Sequence, residues 1–339
     1  TYQDTAFADV NEIVGIARAT HNRGFAYHTH IRDQGQNFLD SVTEAIKIAR
    51  LAEVPLVISH MYPASRKVWG QGAEAIELLY RARNQGQQVG FDITPWPRGG
   101  GPIAQMLSPW ARDGGMDSTL QRLRNPDLRS QVAMELESGE GHTMDLDWDD
   151  CLVCQVSKSE NYGWLGHSIS ELAEKRGMTP SETATLMLLE DDGGYWIAPT
   201  IKSDEDVDLL IKDPMSAIVA DGMALAPDGP LGNPGKPNSY GTFPRALGLY
   251  VRDKRILTWE EAITKMTSIP AQRVGLWDRG IVRPNMKADL VVFNPDSVIE
   301  NATYGSPNEY PEGIYWVIVN GQISVSPHGH TGARSGKVL

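Results

Sequence analysis

The segment that decides the fold is Phe25-Ala26-Tyr27-His28-Thr29-His30-Ile31-Arg32-Asp33, which Gly35 closely follows. Its apolar and β-branched residues predict a buried strand, with ionisable groups at the C-terminal end. Side chains alternate between the two faces of a strand, so the pattern places His28, His30 and Arg32 on one face. Three such groups are difficult to bury as ordinary core. We therefore predict that the end of this strand carries a metal ligand.

A second strand is predicted at Pro55-Leu56-Val57-Ile58-Ser59-His60-Met61, and it also ends in a histidine. Residues 38–53, between the two strands, carry apolar side chains at helical spacing. Parallel strands joined by a crossover helix place equivalent ends side by side. We therefore expect His30 and His60 to meet at the rim that bears the active site in barrel enzymes.

The same alternation continues with a helix at 73–84 and strands at 88–94 and 215–222, the last ending in Ala220-Asp221-Gly222. From about residue 102 to 213 the alternation is lost. We therefore expect residues 1–280 to form barrel structure with an insertion at about 98–213. A loop rich in glycine and proline is expected through Tyr240–Arg245, before more helices. Two apolar runs and the turn Asn320-Gly321 predict a small β module at 281–339.

Composition excludes several classes of partner. The chain has 339 residues, 41% of them hydrophobic and 22% charged, with a net charge of −12. This acidity argues against nucleic acid and against an anionic membrane surface, because both bind clustered positive charge. No apolar run approaches the about 18 residues of a membrane span. We expect a cytoplasmic protein without nucleic-acid or membrane partners, and a homo-oligomer is possible.

Two histidines and an aspartate at the ends of parallel strands fit a hydrolytic metal site. Imidazole nitrogens bind a divalent ion such as zinc, and the ion acidifies its bound water. Asp221 can accept a proton from that water and pass it to a leaving nitrogen. A single histidine or aspartate at a strand end is more often a hydrogen-bonded structural residue, so spacing alone leaves both interpretations open.

Several motifs in order resemble one branch of the amidohydrolase superfamily, the N-acyl-D-amino-acid deacylases. They are Thr29-His30-Ile31-Arg32-Asp33-Gln34-Gly35, Ile58-Ser59-His60, Ala220-Asp221-Gly222, Tyr240-Gly241-Thr242-Phe243-Pro244-Arg245, and the tail segment from Arg279-Gly280-Ile281 to Lys287-Ala288-Asp289-Leu290-Val291-Val292-Phe293. The resemblance implies an α/β fold, a TIM-like (β/α)8 barrel with a small β-sandwich, and hydrolysis of a small-molecule amide with one or two zinc ions. Carried over, His30 and His60 are metal ligands from strands five and six, and Asp221 is the acid and base from strand eight.

The family's first motif, His-x-His, its metal-binding cysteine and its strands one to four would all precede Thr1. His28-x-His30 resembles that first motif, but its neighbours match the strand-five histidine, so a structural role is favoured for His28. Only strands 5–8 are expected in this sequence. We therefore predict that the N-terminal half of the barrel is a separate chain or an upstream segment, and that it pairs with the edge strands near Phe25 and Met215.

The family binds the substrate carboxylate through a lysine, a tyrosine and an arginine at positions that here hold Tyr62, Thr94 and Asn238. With Trp96, these are the predicted substrate-binding residues. Replacing a cationic clamp by neutral groups predicts a substrate without the usual free carboxylate. Lys202 is an alternative source of positive charge, although a surface position is the more common one for a lysine.

Two other functions remain open at this stage. One is a catalytically silent assembly protein of the same fold, against which the presence of both histidines and Asp221 argues. The other is a barrel glycosidase that uses Asp92 and Asp221 as its carboxylate pair. Cys151 and Cys154 have a spacing found in zinc and redox sites, but no second pair exists, so structural thiols are favoured.

Overall fold

The computed structural model describes residues 8–21, 24–139, 146–227 and 236–338. Its α-helices are α1 Val10–Arg18, α2 Phe38–Ala52, α3 Gly72–Asn84, α4 Pro109–Arg112, α5 Gly115–Arg124, α6 Pro126–Ser138, α7 Ile169–Arg176, α8 Pro180–Glu190, α9 Asp204–Lys212, α10 Asn238–Arg245, α11 Trp259–Met266 and α12 Ser268–Arg273. Its strands are β1 Tyr27–Thr29, β2 Leu56–Ile58, β3 Val89–Ile93, β4 Gly101–Pro102, β5 Leu152–Gln155, β6 Trp196–Ala198, β7 Ser216–Ile218, β8 Leu290–Phe293, β9 Ile314–Val319, β10 Gln322–Ser326 and β11 Gly329–His330. A π-helix spans Ala246–Asp253, and short 3-10 helices span Arg66–Val68, Ile103–Met106 and Ser159–Trp164.

The central sheet is parallel, with the strand order β1-β2-β3-β7. Thr29 lies opposite Ile58, Ile58 lies opposite Phe91, and Phe91 lies opposite Ser216. The four predicted strands are therefore confirmed, and their C-terminal ends share one rim. Within the described ranges β1 and β7 each have a neighbour on one side only, so both are edge strands.

Helix α2 shows how the alternation of strand and helix arises from the sequence. Its apolar side chains, among them Phe38, Val42 and Ala49, are buried against the sheet. The helix ends at Glu53, whose left-handed backbone (φ 56°) directs the chain into β2. Because its apolar stripe packs against the sheet, α2 returns the chain to the start of the sheet, and β2 then runs parallel to β1.

The region between β3 and β7 has its own core. Strands β4, β6 and β5 form an antiparallel sheet, against which helices α5 to α8 pack. Helix α9 then leads back to β7, and Val207, Leu210 and Ile211 rejoin the core of the parallel sheet. The division of the chain at about 98–213 and at 281 stays a prediction, because burial and pairing alone do not define domains.

The C-terminal region forms an antiparallel sheet with the order β11-β10-β9-β8. Asn320 and Gly321, with φ of 48° and 80°, make the tight turn between β9 and β10. Two consecutive positive φ angles are the geometry of a type I′ hairpin turn, as the Asn-Gly pair predicts. The described residues of this region contribute one sheet, and the β-sandwich stays a prediction.

One local prediction is wrong. The expected loop through Tyr240–Arg245 is helix α10, with Pro244 inside it. Proline lacks the N–H that an α-helix needs at that position. The chain continues directly into the π-helix at Ala246–Asp253. Among the described residues, no helix is long and apolar enough to cross a membrane.

Candidate active site

The rim holds a pair of histidines at the ends of adjacent strands. His30 follows β1 and His60 follows β2, and their side chains meet, with His30 Nδ1 lying 3.1 Å from His60 Nε2. The ring centroids are 4.6 Å apart and the rings are inclined by 63°. The predicted meeting of the two histidines is therefore present in the structure.

The backbone at His60 is held in a left-handed conformation, with φ of 33°. Such a conformation is uncommon for a residue other than glycine and must be held in place by its surroundings. The carboxylate of Asp92, from β3, accepts the backbone N–H of His60 at 2.6 Å. Asp92 also contacts His28 Nε2 at 3.0 Å and is itself only 3% exposed. This buried carboxylate therefore fixes the turn that aims His60.

Gln34 fixes the other side of the His60 ring. Its side-chain nitrogen donates to the His60 carbonyl oxygen at 2.8 Å and lies 3.0 Å from His60 Nδ1. An amide nitrogen can only donate, so His60 Nδ1 accepts this hydrogen bond, and Nε2, the ring nitrogen that faces His30, carries the proton of the neutral ring. The contact fixes the orientation of the ring, and Nε2 can bind a metal ion only after its proton has moved to Nδ1, since a ligating histidine donates from its other ring nitrogen.

Asp221 lies beyond β7 on the same rim, also with a left-handed backbone, φ 48°. The next residue must be small, because a Cβ on Gly222 would lie 2.8 Å from the Cα of Ser239. The Asp221 side chain is 50% exposed, and its Oδ2 lies 4.0 Å from Lys236 Nζ. The carboxylate is therefore accessible, as an acid and base must be.

The charges of the rim act on one another. Burial first, and then the neighbouring His60, lower the pKa of His30 to about 4, and Asp221 opposes this shift. Burial also lowers the pKa of His60, again against the effect of Asp221. Both imidazoles are therefore neutral at pH 7, which is the form that binds a metal ion.

The donor set fits half of a zinc site. Two nitrogens bound to one tetrahedral zinc ion at about 2.0–2.1 Å lie about 3.3 Å apart. The separation of 3.1 Å between the two ring nitrogens is close to that value, and it also suits a direct N–H···N contact. Within the described ranges no group of three or more His, Cys, Asp or Glu side chains is arranged to hold a metal. The histidine pair therefore needs a further ligand.

The sequence model of the amidohydrolase family matches residues 87–325, which is more than half of the chain. This chain belongs to the amidohydrolase family. It is 28% identical over 340 residues to an N-acyl-D-aspartate deacylase and 29% identical over 338 residues to a D-aminoacylase, both from Alcaligenes xylosoxydans xylosoxydans. All of this chain is covered, with 58% and 59% of those proteins. The chain thus spans less than two thirds of the length of these relatives.

Solved structures of family members agree with this assignment. A crystal structure of D-aminoacylase aligns with a TM-score of 0.74 at 27% identity, covering 100% of this chain and 60% of that chain. The N-acyl-D-glutamate deacylase from Bordetella bronchiseptica, complexed with zinc and a phosphonate inhibitor, aligns with a TM-score of 0.76 at 26% identity and the same coverage. These neighbours support an α/β fold of the TIM-barrel type for this member of the amidohydrolase family.

The four predicted substrate-binding residues surround the ends of β2 and β3 and are all buried, with exposed fractions of 4–8%: Tyr62, Thr94, Trp96 and Asn238. The Tyr62 ring lies 5.9 Å from that of His60. Trp96 Nε1 donates to Thr242 Oγ1 at 2.9 Å, which ties it to α10. Asn238 begins α10. Their contact with a substrate stays a prediction.

Two expectations about individual side chains are wrong. Arg32 does not share the face of His28 and His30, because β1 ends at Thr29 and the alternation ends with it. Its guanidinium instead pairs with Glu44 of α2 at 3.0 Å. Lys202 is not on the surface, since only 1% of it is exposed. Its ammonium donates to Thr94 Oγ1 at 2.5 Å and to the Trp96 carbonyl oxygen at 2.8 Å.

Gln34 and Lys236 lie in the site although no role is predicted for either from the sequence, and Asp92 is predicted only as a carboxylate of the glycosidase alternative. Gln34 lies inside the Thr29–Gly35 motif, four residues after His30, so the motif itself held a signal. No local pattern points to Lys236. The favoured structural interpretation of Cys151 and Cys154 agrees with their burial, which raises the pKa of Cys154 to about 12.

Proposed function

We propose that this chain carries part of the active site of a metal-dependent hydrolase that cleaves a C–N amide bond, as an N-acyl-D-amino-acid deacylase does. The observation that carries the proposal is the approach of the His30 and His60 ring nitrogens to 3.1 Å, on the rim that also bears Asp221. The names of the relatives support the reaction class.

Each rim residue has a role in this proposal. His30 and His60 would hold a zinc ion, which when bound polarises the amide carbonyl and acidifies a water molecule. Asp221 accepts a proton from the attacking water and delivers it to the leaving nitrogen, which its exposure allows. Asp92 and Gln34 hold His60 in position.

We further propose that additional strands close the barrel, so that this chain supplies strands 5–8. The two open edges, β1 and β7, support this, because parallel strands are normally buried within a sheet. A segment carrying those strands would also supply the further metal ligand. In hydrogen-exchange measurements on the full-length protein, peptides covering β1 and β7 should be as protected as those covering β2 and β3. Fast exchange confined to β1 and β7 would refute closure.

The sequence also predicts a substrate without the usual free carboxylate, because Tyr62, Thr94 and Asn238 are neutral. That remains a prediction. The buried ammonium of Lys202 beside Thr94 is an observation against it.

The two alternatives predict different behaviour. A glycosidase would need Asp92 as a reacting carboxylate, yet Asp92 is buried and occupied by the backbone of His60 and by His28. A silent assembly protein would bind metal without turnover.

The test is to purify the full-length protein, measure its metal content, and assay acyl-D-amino acids, their amides and cyclic imides, with aryl glycosides as the contrast. Amide hydrolysis that chelation removes and zinc restores supports the proposal. Zinc without turnover of any amide supports the silent protein, and turnover of glycosides without metal supports the glycosidase. The zinc stoichiometry decides between one and two ions.

A further inference from the structure

Lys236 is a cation beside the candidate acid and base. Its ammonium lies 4.0 Å from Asp221 Oδ2, and its side chain is 17% exposed, whereas that of Asp221 is 50% exposed. The lysine is therefore the more enclosed partner of the pair. Lysine side chains at a surface usually keep their charged end in water, so a lysine held against the protein at this point calls for an explanation.

The antiparallel sheet β4-β6-β5 holds the ammonium in place. Lys236 Nζ donates to the carbonyl oxygen of Gly100 at 3.4 Å, and it lies over the ring of Trp196, 5.3 Å from the ring centre, which is a cation–π distance. Gly100 directly precedes β4, and Trp196 is the first residue of β6, which pairs with β4. The cation therefore has three neighbours: a carbonyl oxygen, an aromatic face and Asp221.

The aliphatic chain of Lys236 is fitted closely to Gly100. A Cβ on Gly100 would lie 2.8 Å from Lys236 Cδ, closer than such atoms normally approach, and 3.3 Å from Cys154 Sγ. Because Cδ lies towards the end of a flexible side chain, the lysine would be the group that moves. A glycine at residue 100 thus allows Lys236 to occupy its place beside Asp221.

The backbone that carries Asp221 is fixed from the same side. In the first turn of α10, Ser239 Oγ accepts the backbone N–H of Met223 at 3.0 Å. This contact holds the backbone after Asp221, whereas the half-exposed carboxylate can still rotate about the bonds of its own side chain. A cation 4.0 Å from one carboxylate oxygen favours the orientation in which that oxygen faces it, and the other oxygen is then available to a water molecule.

We propose that Lys236 is a positioning residue for Asp221. Its ammonium, held by Gly100 and Trp196, fixes one carboxylate oxygen so that the other accepts the proton of the attacking water. This inference rests on the proposed amide hydrolysis and adds a residue to the same site. It also gives the sheet β4-β6-β5 a part in the reaction, because that sheet holds the cation. Lys236 exchanges no proton in this role, since Asp221 carries it.

The first experiment separates the charge of Lys236 from its bulk. Lys236→Met keeps most of the aliphatic chain without the charge, Lys236→Arg keeps a charge, and Gly100→Ala keeps the lysine but displaces it. Lys158→Met is the matched control, because Lys158 also pairs with a carboxylate, that of Asp192 at 2.9 Å, and donates to a backbone carbonyl oxygen, that of Glu190. For each full-length protein, kcat and KM are measured for the best amide substrate, together with the zinc content.

The second experiment tests the contact without turnover. A water-soluble carbodiimide activates an accessible carboxylate, and a lysine amine within reach then forms an amide bond with it as the urea leaves. Mass spectrometry of the digested full-length protein should show a cross-link between Lys236 and Asp221, because the two groups are 4.0 Å apart. The pair of Lys158 and Asp192 is the positive control in the same digest.

We expect Lys236→Met to lower kcat about tenfold, which is part of the about 10²–10⁴-fold effect of a positioned acid and base, with KM and zinc content unchanged. Lys236→Arg should keep most of the activity. Gly100→Ala should fall between the wild type and Lys236→Met, and Lys158→Met should match the wild type.

The inference on Lys236 is overturned by full kcat in Lys236→Met, by a loss of kcat that follows a loss of zinc, by equal losses in the Met and Arg variants, or by absence of the cross-link to Asp221. Gly100→Ala decides if Lys236→Met does not fold. An active wild type with an unaffected Lys236→Met would refute this inference alone. A wild type that forms the cross-link but hydrolyses no amide would refute the proposed function and, with it, this role of Lys236.

Discussion

The two ends of the parallel sheet each bury a lysine, and the two lysines have different surroundings. At the end where β7 begins, Lys265 donates to the Asp213 carbonyl oxygen and to Ser216 Oγ, and the nearby Asp213 and Glu261 carboxylates raise its pKa against the effect of burial. At the rim, Lys202 has an aromatic ring and two neutral oxygen atoms around it. Burial lowers the pKa of both lysines; two carboxylates oppose the shift at Lys265 and one, Asp221, opposes it at Lys202.

Left-handed backbone occurs at both ends of the sheet, but in different kinds of residue. At the rim, His60 and Asp221 are both in the left-handed region. At the opposite end Glu53 is also left-handed, as the C-cap of α2, and Arg273 donates to the carbonyl oxygens of Phe91 and Met215. A helix C-cap is a common place for left-handed backbone, whereas at the rim the two left-handed residues are the candidate ligand His60 and the candidate acid Asp221, so there the strain coincides with the candidate site.

The largest expected difference between the two ends is in activity, when the carboxylate of Asp221 at the rim is removed. Asp221→Asn should lower the turnover of the full-length protein about 10²–10⁴-fold, because the amide cannot accept the proton of the attacking water. Zinc content should be unchanged. Asp213→Asn, at the other end of β7, is the control and should keep nearly all activity. Steady-state rates with metal analysis test this, and full activity of Asp221→Asn would rule out its role.

The second effect concerns the histidine pair. His30→Ala or His60→Ala should remove the tightly bound metal, because two imidazoles 3.1 Å apart supply this chain's share of the ligands. His28→Ala is the control, since its ring contacts Asp92. Metal analysis after dialysis distinguishes the His30 and His60 variants from this control, which should keep its metal. Stoichiometric zinc in both the His30 and the His60 variants would contradict the assignment.

Local patterns in the sequence were sufficient to predict the framework of this comparison. Helical spacing of apolar residues predicted α2, and the short apolar runs predicted β1, β2, β3 and β7 in their observed order. The histidines at the strand ends then met because parallel strands share a rim. These features depend on residues that are close in the sequence or on simple topology, so the periodicity of the sequence is enough to predict them.

What could not be predicted depends on contacts between distant residues. Lys202 is buried by Thr94 and Trp96, which are more than a hundred residues away in the chain. Arg32 left the predicted face because the strand ended three residues earlier than the alternation required. Periodicity gives neither the end of a short strand nor the burial of a charged residue, because tertiary packing decides both.

A third and smaller effect concerns the support of His60. Gln34→Ala should weaken zinc binding about 10–100-fold, because the ring of His60 loses the group that fixes its orientation. Gln87→Ala is the matched control, since Gln87 also donates to a backbone carbonyl, that of Ile46, but next to the opposite end of β3. Competition with a chelator gives both affinities. Equal affinities in the two variants would show that Gln34 does not position His60.

The smallest effect is on stability, and it compares the two lysines directly. Burial lowers the pKa of Lys202 to about 7 and that of Lys265 to about 8. Between the folded value and the unfolded value of about 10.4, the unfolded chain binds more protons, so the stability contributed by each lysine rises with pH. Lys202→Met should therefore raise the Tm of the full-length protein at pH 7, and this advantage should shrink as the pH approaches 10. The expected gain is about 2–4 °C, the shift that about 1 kcal/mol produces in domains of about 150–250 residues.

Lys265→Met is the control and should show a smaller change of Tm with pH. The pH range between its folded and unfolded pKa values is narrower, and the variant also loses the hydrogen bond to Ser216. Thermal unfolding at pH 7 and pH 9.5 measures both differences. If the Tm advantage of Lys202→Met instead grew with pH, the burial of a charged Lys202 would not be what destabilises the protein.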